Sequence, residues 1–154
     1  LVEQPTPAKD FASLVRLSKK FNIGILADES IADSTDTLLL AQQGFTGSVA
    51  LKIGKAGGLF GALDVAAVCN AAGIGLYGGT LLEGTVGTTA ALHAWSTLPV
   101  IEFGTEMFGP LLQCDDIVKS PLNYHNFGVE VPTTAGLGLE IDEDKLRQYT
   151  RKAK

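Results

Sequence analysis

Short apolar runs recur along this chain at intervals of about 25 residues, and each ends in a charged side chain. Glu3 ends LVE, Asp28 follows IGILA and Lys52 follows SVAL, so the three charges lie 25 and 24 residues apart. A helical pattern follows each run. Repeated strand–helix units of this length build parallel sheets, and in barrels of such units the catalytic groups lie at the carboxyl ends of the strands. The spacing predicts that these charges converge on one small volume, as in a metal site beside an acid/base lysine.

The same rhythm predicts the secondary structure of most of the chain. The predicted N-cap of the second helix is Ser34, and Gly44 and Gly73 are predicted to end the second and third helices. After residue 106 the rhythm breaks, and 107–119 is expected to be irregular. The predicted strands cover 1–3, 23–27, 48–53, 74–77, 100–103, 127–131 and 137–141, and the predicted helices cover 9–20, 34–43, 58–72, 85–97 and 143–151.

The predicted fold class is α/β with a parallel sheet, because nearly continuous apolar strands alternate with helices. A closed (β/α)8 barrel needs about 250 residues, more than the 154 present. Either the sheet is open or the missing strands belong to another segment. We expect a partial barrel at 1–106 and a C-terminal tail at 107–154 that caps it. We also expect the chain to be a piece of a longer polypeptide.

Composition restricts the classes of partner. The net charge is −5 and no basic cluster occurs, which argues against nucleic acid. No apolar run approaches the roughly 18 residues of a membrane-spanning helix, and no signal peptide is recognisable. Cys69 and Cys114 lie 45 residues apart without a CxxC motif. We expect two free thiols and a cytoplasmic location.

Lys52 is the strongest single functional signal, because it lies in an apolar run between Leu51 and Ile53. A partly desolvated lysine has a lowered pKa and can act as a general acid or base. Lys55, at the exit of the strand, is expected to be solvated or to support the site from outside. The alternative for Lys52 is a surface lysine that interrupts the run.

The carboxylates at the strand ends suggest a hard metal ion. Asp28 and Glu29 are neighbours, so strand alternation lets only one of them point inward with Glu3. Oxygen ligands without Cys or His favour Mg²⁺ or Mn²⁺. Glu106, at another predicted strand end, is a candidate partner for a developing charge. For Glu3 and Asp28 the alternative is a solvated carboxylate at the end of a strand.

Six motifs in this order and spacing closely resemble the enolase superfamily, and within it the muconate cycloisomerase branch. They are LVEQP, ILADES, ALKIGKAGG, GLYGGTLLEG, GTEMFGPLL and PTTAGLGL. The resemblance runs from residue 1 to about 151. It implies the C-terminal part of the family's protein: about five βα units of a modified TIM barrel, then a tail that packs on a capping domain.

The resemblance also implies roles for individual residues. Glu3 and Asp28 match two of three metal carboxylates, and Lys52 and Glu106 match catalytic residues. The third carboxylate and a K-x-K lysine are expected upstream of this chain. Ala50, Gly79, Thr80 and Phe108 are expected to contact substrate, and Glu29 and Lys55 to support the site. The implied cofactor is Mn²⁺ or Mg²⁺.

The implied reaction is the reversible cycloisomerisation of cis,cis-muconate, a small dicarboxylate, in aromatic catabolism. Ala50 and Phe108 favour the non-chlorinated substrate over chloromuconate. The alternatives are a chloromuconate cycloisomerase, another enzyme of the superfamily such as an o-succinylbenzoate synthase or a racemase, and a non-catalytic fragment or interaction module. The full-length protein is expected to be a homo-oligomer without nucleic-acid or membrane partners.

Overall fold

The computed structural model describes residues 1–151, which divide into two compact units. The first unit comprises Leu1–Gly79 and Leu98–Glu106, and the second comprises Thr80–Thr97 and the residues from Met107 onwards. The predicted division at residue 106 stays a prediction. Within 1–151, no helix is both long and apolar enough to cross a bilayer.

Strands and helices alternate through the first unit, as the sequence predicts. The elements of both units, in chain order, are β1 (Val2–Glu3), α1 (Phe11–Lys20), β2 (Ile25–Ala27), α2 (Ser34–Gln42), β3 (Ser48–Leu51), α3 (Leu59–Ala72), β4 (Gly75–Gly78), α4 (Thr85–Trp95), a 3₁₀ helix (Gly109–Leu112), β5 (Tyr124–His125), β6 (Gly128–Val129) and α5 (Glu143–Tyr149).

The four strands of the first unit form one parallel sheet in the order β1-β2-β3-β4. Every residue of β2 and β3 is buried, which explains why, apart from Ser48, their sequences are apolar without alternation. Helices α2 and α3 pack against each other, and Leu40 and Ala66 on them are completely buried. The α/β class with a parallel sheet is confirmed.

The helix ends follow their capping residues. The predicted N-cap Ser34 is wrong: Asp33 caps α2, because its carboxylate accepts hydrogen bonds from the N–H groups of Thr35 and Asp36 at 2.8 and 3.0 Å. Gly73 ends α3 in the left-handed conformation, as predicted. Gly44, with φ +78°, follows the C-cap of α2.

The predicted strand at 100–103 is wrong. Thr105 makes a single parallel bridge with Gly78 of β4 instead. One physical reason is that the Glu102 carboxylate accepts the N–H of Leu76 at 2.8 Å, where a neighbouring strand would have supplied a carbonyl. Backbone hydrogen bonds to β4 begin at Phe103, whose N–H donates to the Leu76 carbonyl at 3.3 Å, and Glu106 follows the bridge by donating its N–H to the Gly78 carbonyl at 2.9 Å.

The second unit pairs its strands differently from the prediction. The predicted strand at 127–131 is confirmed only at β6, and its partner is β5, upstream in the chain. Asn126 and Phe127 both have positive φ, 49° and 60°, as a two-residue hairpin turn requires. The predicted strand at 137–141 is wrong, because only Ile141 is bridged, to Val118.

Candidate active site at the strand ends

The carboxyl ends of the parallel strands bring the predicted charges to one edge of the first unit. Glu3 is the last residue of β1, Asp28 follows β2 and Lys52 follows β3. The strands are neighbours in the sheet and run in the same direction, so their ends share one edge. Glu106 lies beside the end of β4. This placement agrees with the predicted convergence.

Asp28 is the centre of a buried ion-paired cluster. Lys52 Nζ lies 2.6 Å from one carboxylate oxygen of Asp28, and Lys55 Nζ lies 2.5 Å from the other. Lys55 also donates to the backbone carbonyl of Asp28 at 2.6 Å. The side chains of Asp28, Lys52 and Lys55 are only 8%, 9% and 18% exposed. Lys55 therefore contacts Asp28 directly and is not a solvated charge.

The ion pair between Asp28 and Lys55 shifts the pKa values of these two residues in opposite directions, and burial opposes the ion pair at both. Burial alone would raise the pKa of Asp28, but the hydrogen bonds from Lys52 and Lys55 outweigh it, and the pKa is lowered. Burial also lowers the pKa of Lys55; Asp28 offsets this in part, and the like charge of Lys52 adds to it. Asp28 is thus held ionised between two cations.

Two further carboxylates act on this cluster. Partial burial raises the pKa of Glu3, and the negative charge of Asp28 raises it further. Glu106 raises the pKa of Glu3 too, whereas Lys52 lowers it. Glu3, Asp28, Lys52 and Glu106 therefore lie within electrostatic reach of one another, which is the constellation predicted from the sequence.

Tyr77 is a member of the site that the sequence reasoning missed. It lies on β4 and pairs in register with Ala50 of β3. Burial raises its pKa to about 12, and a hydrogen bond with Glu106 contributes. The phenol therefore stays protonated at neutral pH beside the Glu106 carboxylate. Its position at the carboxyl end of a strand was the available signal.

Gln4 is the second member that sequence reasoning missed. Its side-chain oxygen accepts the backbone N–H groups of Asp28 and Ser30 at 2.8 and 3.2 Å. Its side-chain nitrogen donates to the Ser30 hydroxyl at 2.7 Å and to the Thr6 carbonyl at 3.0 Å. Gln4 thus links the segment after β1 to the segment after β2. The only sequence signal was its place between Glu3 and Pro5.

The remaining predicted site residues are divided between the units. In the first, Ala50 is buried in β3, Glu29 is exposed, and Gly79 lies against Lys52. A Cβ at Gly79 would lie 2.8 Å from Cε of Lys52 and 3.1 Å from its Cγ, so this position leaves room for the lysine. In the second unit, the Thr80 hydroxyl donates to Glu83 at 2.5 Å and Phe108 is 39% exposed.

The donor set fits a hard divalent cation in kind but not in number. Burial is the larger cause of the raised pKa of Glu3, and repulsion by the negative charge of Asp28 adds to it, so the two carboxylates lie near each other. A cation between them would relieve that repulsion. Residues 1–151 contain no cluster of three or more acidic, His or Cys side chains suited to a metal.

Comparison with known proteins gives this arrangement a family. The family model described as "Enolase C-terminal domain-like" matches residues 1–145. Muconate cycloisomerase 1 of Acinetobacter baylyi is 46% identical over 151 residues, which are 98% of this chain and 41% of that protein. Chloromuconate cycloisomerase CbnB of Cupriavidus necator is 43% identical over 153 residues, covering 99% of this chain and 41% of that protein.

Solved structures agree with the sequence relatives. The crystal structure of muconate lactonizing enzyme from Klebsiella pneumoniae is 62% identical and superposes with a TM-score of 0.94 over 97% of this chain and 42% of that one. The chain thus spans about two-fifths of the length of its relatives, 41% in the curated proteins, and aligns with their C-terminal part. By its sequence and its fold, this chain belongs to the enolase C-terminal domain-like family, and the resemblance of its motifs to the muconate cycloisomerase branch is confirmed.

Proposed function

We propose that the intact protein containing this chain is a muconate cycloisomerase. It would interconvert cis,cis-muconate and muconolactone in the catabolism of aromatic compounds through catechol and β-ketoadipate. The observation that carries the proposal is the nearly buried Lys52 ammonium, which lies 2.6 Å from Asp28. It lies at the edge of the sheet that also holds Glu3 and Glu106. Similarity to muconate and chloromuconate cycloisomerases supports the same activity.

The reaction requires stabilisation of a negative charge. One carboxylate of the substrate adds to a double bond, and the other carboxylate becomes an enolate, which is then protonated at carbon. Such an enolate forms only where positive charge is preorganised. We assign this electrostatic role to Lys52, which is 9% exposed and so acts with little solvent screening. We also propose a part for Lys52 in proton transfer.

The other residues prepare this charge. Lys55 keeps Asp28 in place through its two contacts. Glu106, held by the Tyr77 hydroxyl, is proposed as the proton donor or as the partner of the enolate. Glu3 and Asp28 would hold a divalent ion, Mn²⁺ or Mg²⁺, together with a carboxylate from another segment. When bound, that ion supplies further positive charge to the substrate carboxylate.

The substrate class and the cellular context are part of the proposal. A small dicarboxylate is the proposed substrate, because Lys52 and the proposed divalent ion would supply positive charge at an edge that also carries the carboxylates of Glu3, Asp28 and Glu106. Ala50 and Phe108 favour muconate over chloromuconate. A cytoplasmic homo-oligomer without nucleic-acid or membrane partners is proposed. Chloromuconate is the second candidate substrate, because a chloromuconate cycloisomerase is 43% identical to this chain.

The test is turnover by the intact protein with added Mn²⁺. With cis,cis-muconate we expect the ultraviolet absorbance of the conjugated diene to disappear. We expect slower turnover of 3-chloromuconate. We expect no turnover of the precursor of o-succinylbenzoate or of N-acyl amino acids. Lys52→Met should lower kcat by about 100-fold or more, since it removes a charge from the transition state. Lys119→Met removes an exposed ion pair with Glu140 and serves as the control. Preference for another substrate would overturn the assignment.

The isolated 154-residue chain gives a second test. We expect no turnover and weak Mn²⁺ binding, because Glu3 and Asp28 are only two of the three proposed metal carboxylates, and the described residues form no cluster of three or more suited to a metal. Calorimetric titration with Mn²⁺ measures this. Sub-micromolar affinity in the isolated chain would contradict the proposed need for a third ligand.

A further inference from the structure

We propose that Gln4 is a positioning residue that sets the separation of the Glu3 and Asp28 carboxylates and so tunes metal affinity. The inference rests on the metal site of the proposed function and deepens it. Gln4 is next to Glu3 in the chain, and its side chain reaches the backbone of Asp28. It therefore contacts the chain at both predicted ligands without being a ligand itself.

The hydrogen bonds of Gln4 use its whole amide group. The oxygen accepts two backbone N–H groups, those of Asp28 and Ser30, and the nitrogen donates its two hydrogens to Ser30 Oγ and the Thr6 carbonyl. A primary amide has two donors and an oxygen with two lone pairs, so all four positions are occupied. This fixes the amide orientation, and any shift of one strand end breaks bonds to the other.

The backbone conformation of Gln4 also indicates a positioning role. Its φ is +36°, in the left-handed region that a non-glycine residue rarely adopts. The following Pro5 further disfavours helical conformations at this position. Residues strained in this way persist where their surroundings hold them, and they concentrate at functional sites. The four side-chain hydrogen bonds, together with a backbone hydrogen bond from Gln4 to the Leu26 carbonyl at 2.8 Å, hold Gln4 in this conformation.

Asp28 is consequently fixed from both sides. Gln4 accepts its N–H, while Lys55 donates to its C=O and to its carboxylate. Lys55 carries a charge, so replacing it changes both the geometry and the field of the site. Gln4 is neutral, so its replacement by a neutral residue changes geometry alone. This makes Gln4 the cleaner probe of ligand placement.

The test compares Gln4→Met with wild type in the intact protein. Methionine keeps the length of the side chain and removes all four hydrogen bonds. Groups that orient metal ligands typically contribute 10- to 100-fold in metal affinity or activity, so we expect Mn²⁺ to bind about 10-fold more weakly or worse by calorimetry. Activity should fall in kcat at saturating Mn²⁺, with a smaller change in KM for muconate.

A control separates positioning from stability. Thr46 links its own segment to Ser18, 28 residues away, through its hydroxyl, and lies away from the strand ends. Thr46→Val should lower the thermal midpoint without weakening Mn²⁺ binding. If Gln4→Met does not fold, Gln4→Asn keeps the amide but is one methylene too short to reach both segments, and the same loss of affinity is expected.

The outcomes distinguish this inference from the proposed function. Wild type that binds Mn²⁺ but does not turn over muconate would contradict the function and leave the affinity comparison intact. Variants at Gln4 that bind Mn²⁺ within twofold of wild type, at any thermal midpoint, would overturn the positioning role. Wild type of the intact protein that binds no Mn²⁺ would overturn both the metal site and the inference.

Discussion

Lysine–carboxylate pairs occur in both units of this chain, but in opposite surroundings. In the first unit, Asp28 and its lysine partners are at most 18% exposed. In the second, Lys119 and Glu140 are 52% and 71% exposed. Exposed pairs contribute about 0–1 kcal/mol, whereas removing one partner of a buried pair costs several kcal/mol because the other charge stays buried. Burial, not the presence of a pair, therefore distinguishes the candidate site.

The two cysteines also differ in burial, and their rates of alkylation should show the largest difference between the two units. Burial raises the pKa of Cys69 to about 12, and it is completely buried, whereas Cys114 is exposed. Only the thiolate is nucleophilic, so at pH 8 about one Cys69 in 10,000 is ionised.

We therefore expect iodoacetamide to modify Cys114 at least ~1,000 times faster than Cys69 in the folded protein. Peptide mass spectrometry resolves the two sites. In urea the two rates should become similar, which provides the control. Comparable rates in the folded state would mean that the interior of the first unit opens readily and would remove the basis of the contrast.

Removal of the shared carboxylate tests the buried cluster itself. Asp28→Asn leaves Lys52 and Lys55 without their anion, so we expect the intact protein to lose about 3 kcal/mol of unfolding free energy. Glu140→Gln, the matched exposed variant, should lose less than ~1 kcal/mol. Urea denaturation in the presence of a chelator measures both without a contribution from metal binding. Equal losses would show that burial does not separate the two pairs.

Much of this site follows from the sequence because it depends on strand ends. Glu3, Asp28 and Lys52 end buried parallel strands, so their convergence needs only the strand–helix period and the shared direction of the strands. The predicted strand end also singled out Glu106, and the motif resemblance gave it a catalytic role, but the strand that should precede it does not form. The side chain of Glu102 occupies a backbone donor there, and no apolar pattern reports that competition.

The contacts around the charges did not follow from the sequence. Gln4 reaches Asp28 only because its φ is +36°, and Lys55 reaches it only because the chain turns after β3. Both depend on backbone conformation in irregular segments, where periodicity carries no information. Tyr77 shows a second limit: in the sequence, a partly buried aromatic residue on a strand cannot be told from a core residue until its hydroxyl is found beside Glu106.

Gly79 offers a smaller test of how closely the buried cluster is packed. A Cβ at this position would lie 2.8 Å from Cε of Lys52, and the flexible lysine would yield before the backbone does. We expect Gly79→Ala in the intact protein to lower kcat about tenfold by displacing the ammonium, with little change in thermal midpoint. Gly128→Ala, where the nearest contact is 3.6 Å away, is the control. Unchanged kcat would mean that Lys52 tolerates displacement.

The exposed cluster of the second unit should give the smallest effect, with a defined pH window. Asp115 accepts hydrogen bonds from Lys145 at 2.5 Å and Tyr149 at 3.0 Å, and these contacts lower its pKa from the ordinary 3.8. The same pair raises the pKa of Lys145 above 10.5. Its contribution to stability is therefore present between these values and is lost as pH falls through the lowered pKa of Asp115, or rises through the raised pKa of Lys145.

We expect Asp115→Asn to shift the thermal midpoint at pH 7 by little more than the error of the measurement, because solvent screens the pair. Any difference from wild type should shrink as the pH falls through the lowered pKa of Asp115, because both proteins then carry a neutral side chain at this position. Thermal scans of both proteins from pH 3 to pH 8 measure this. A shift as large as that of Asp28→Asn would show that the second unit, too, depends on a charge cluster, and the contrast between the units would then not rest on burial.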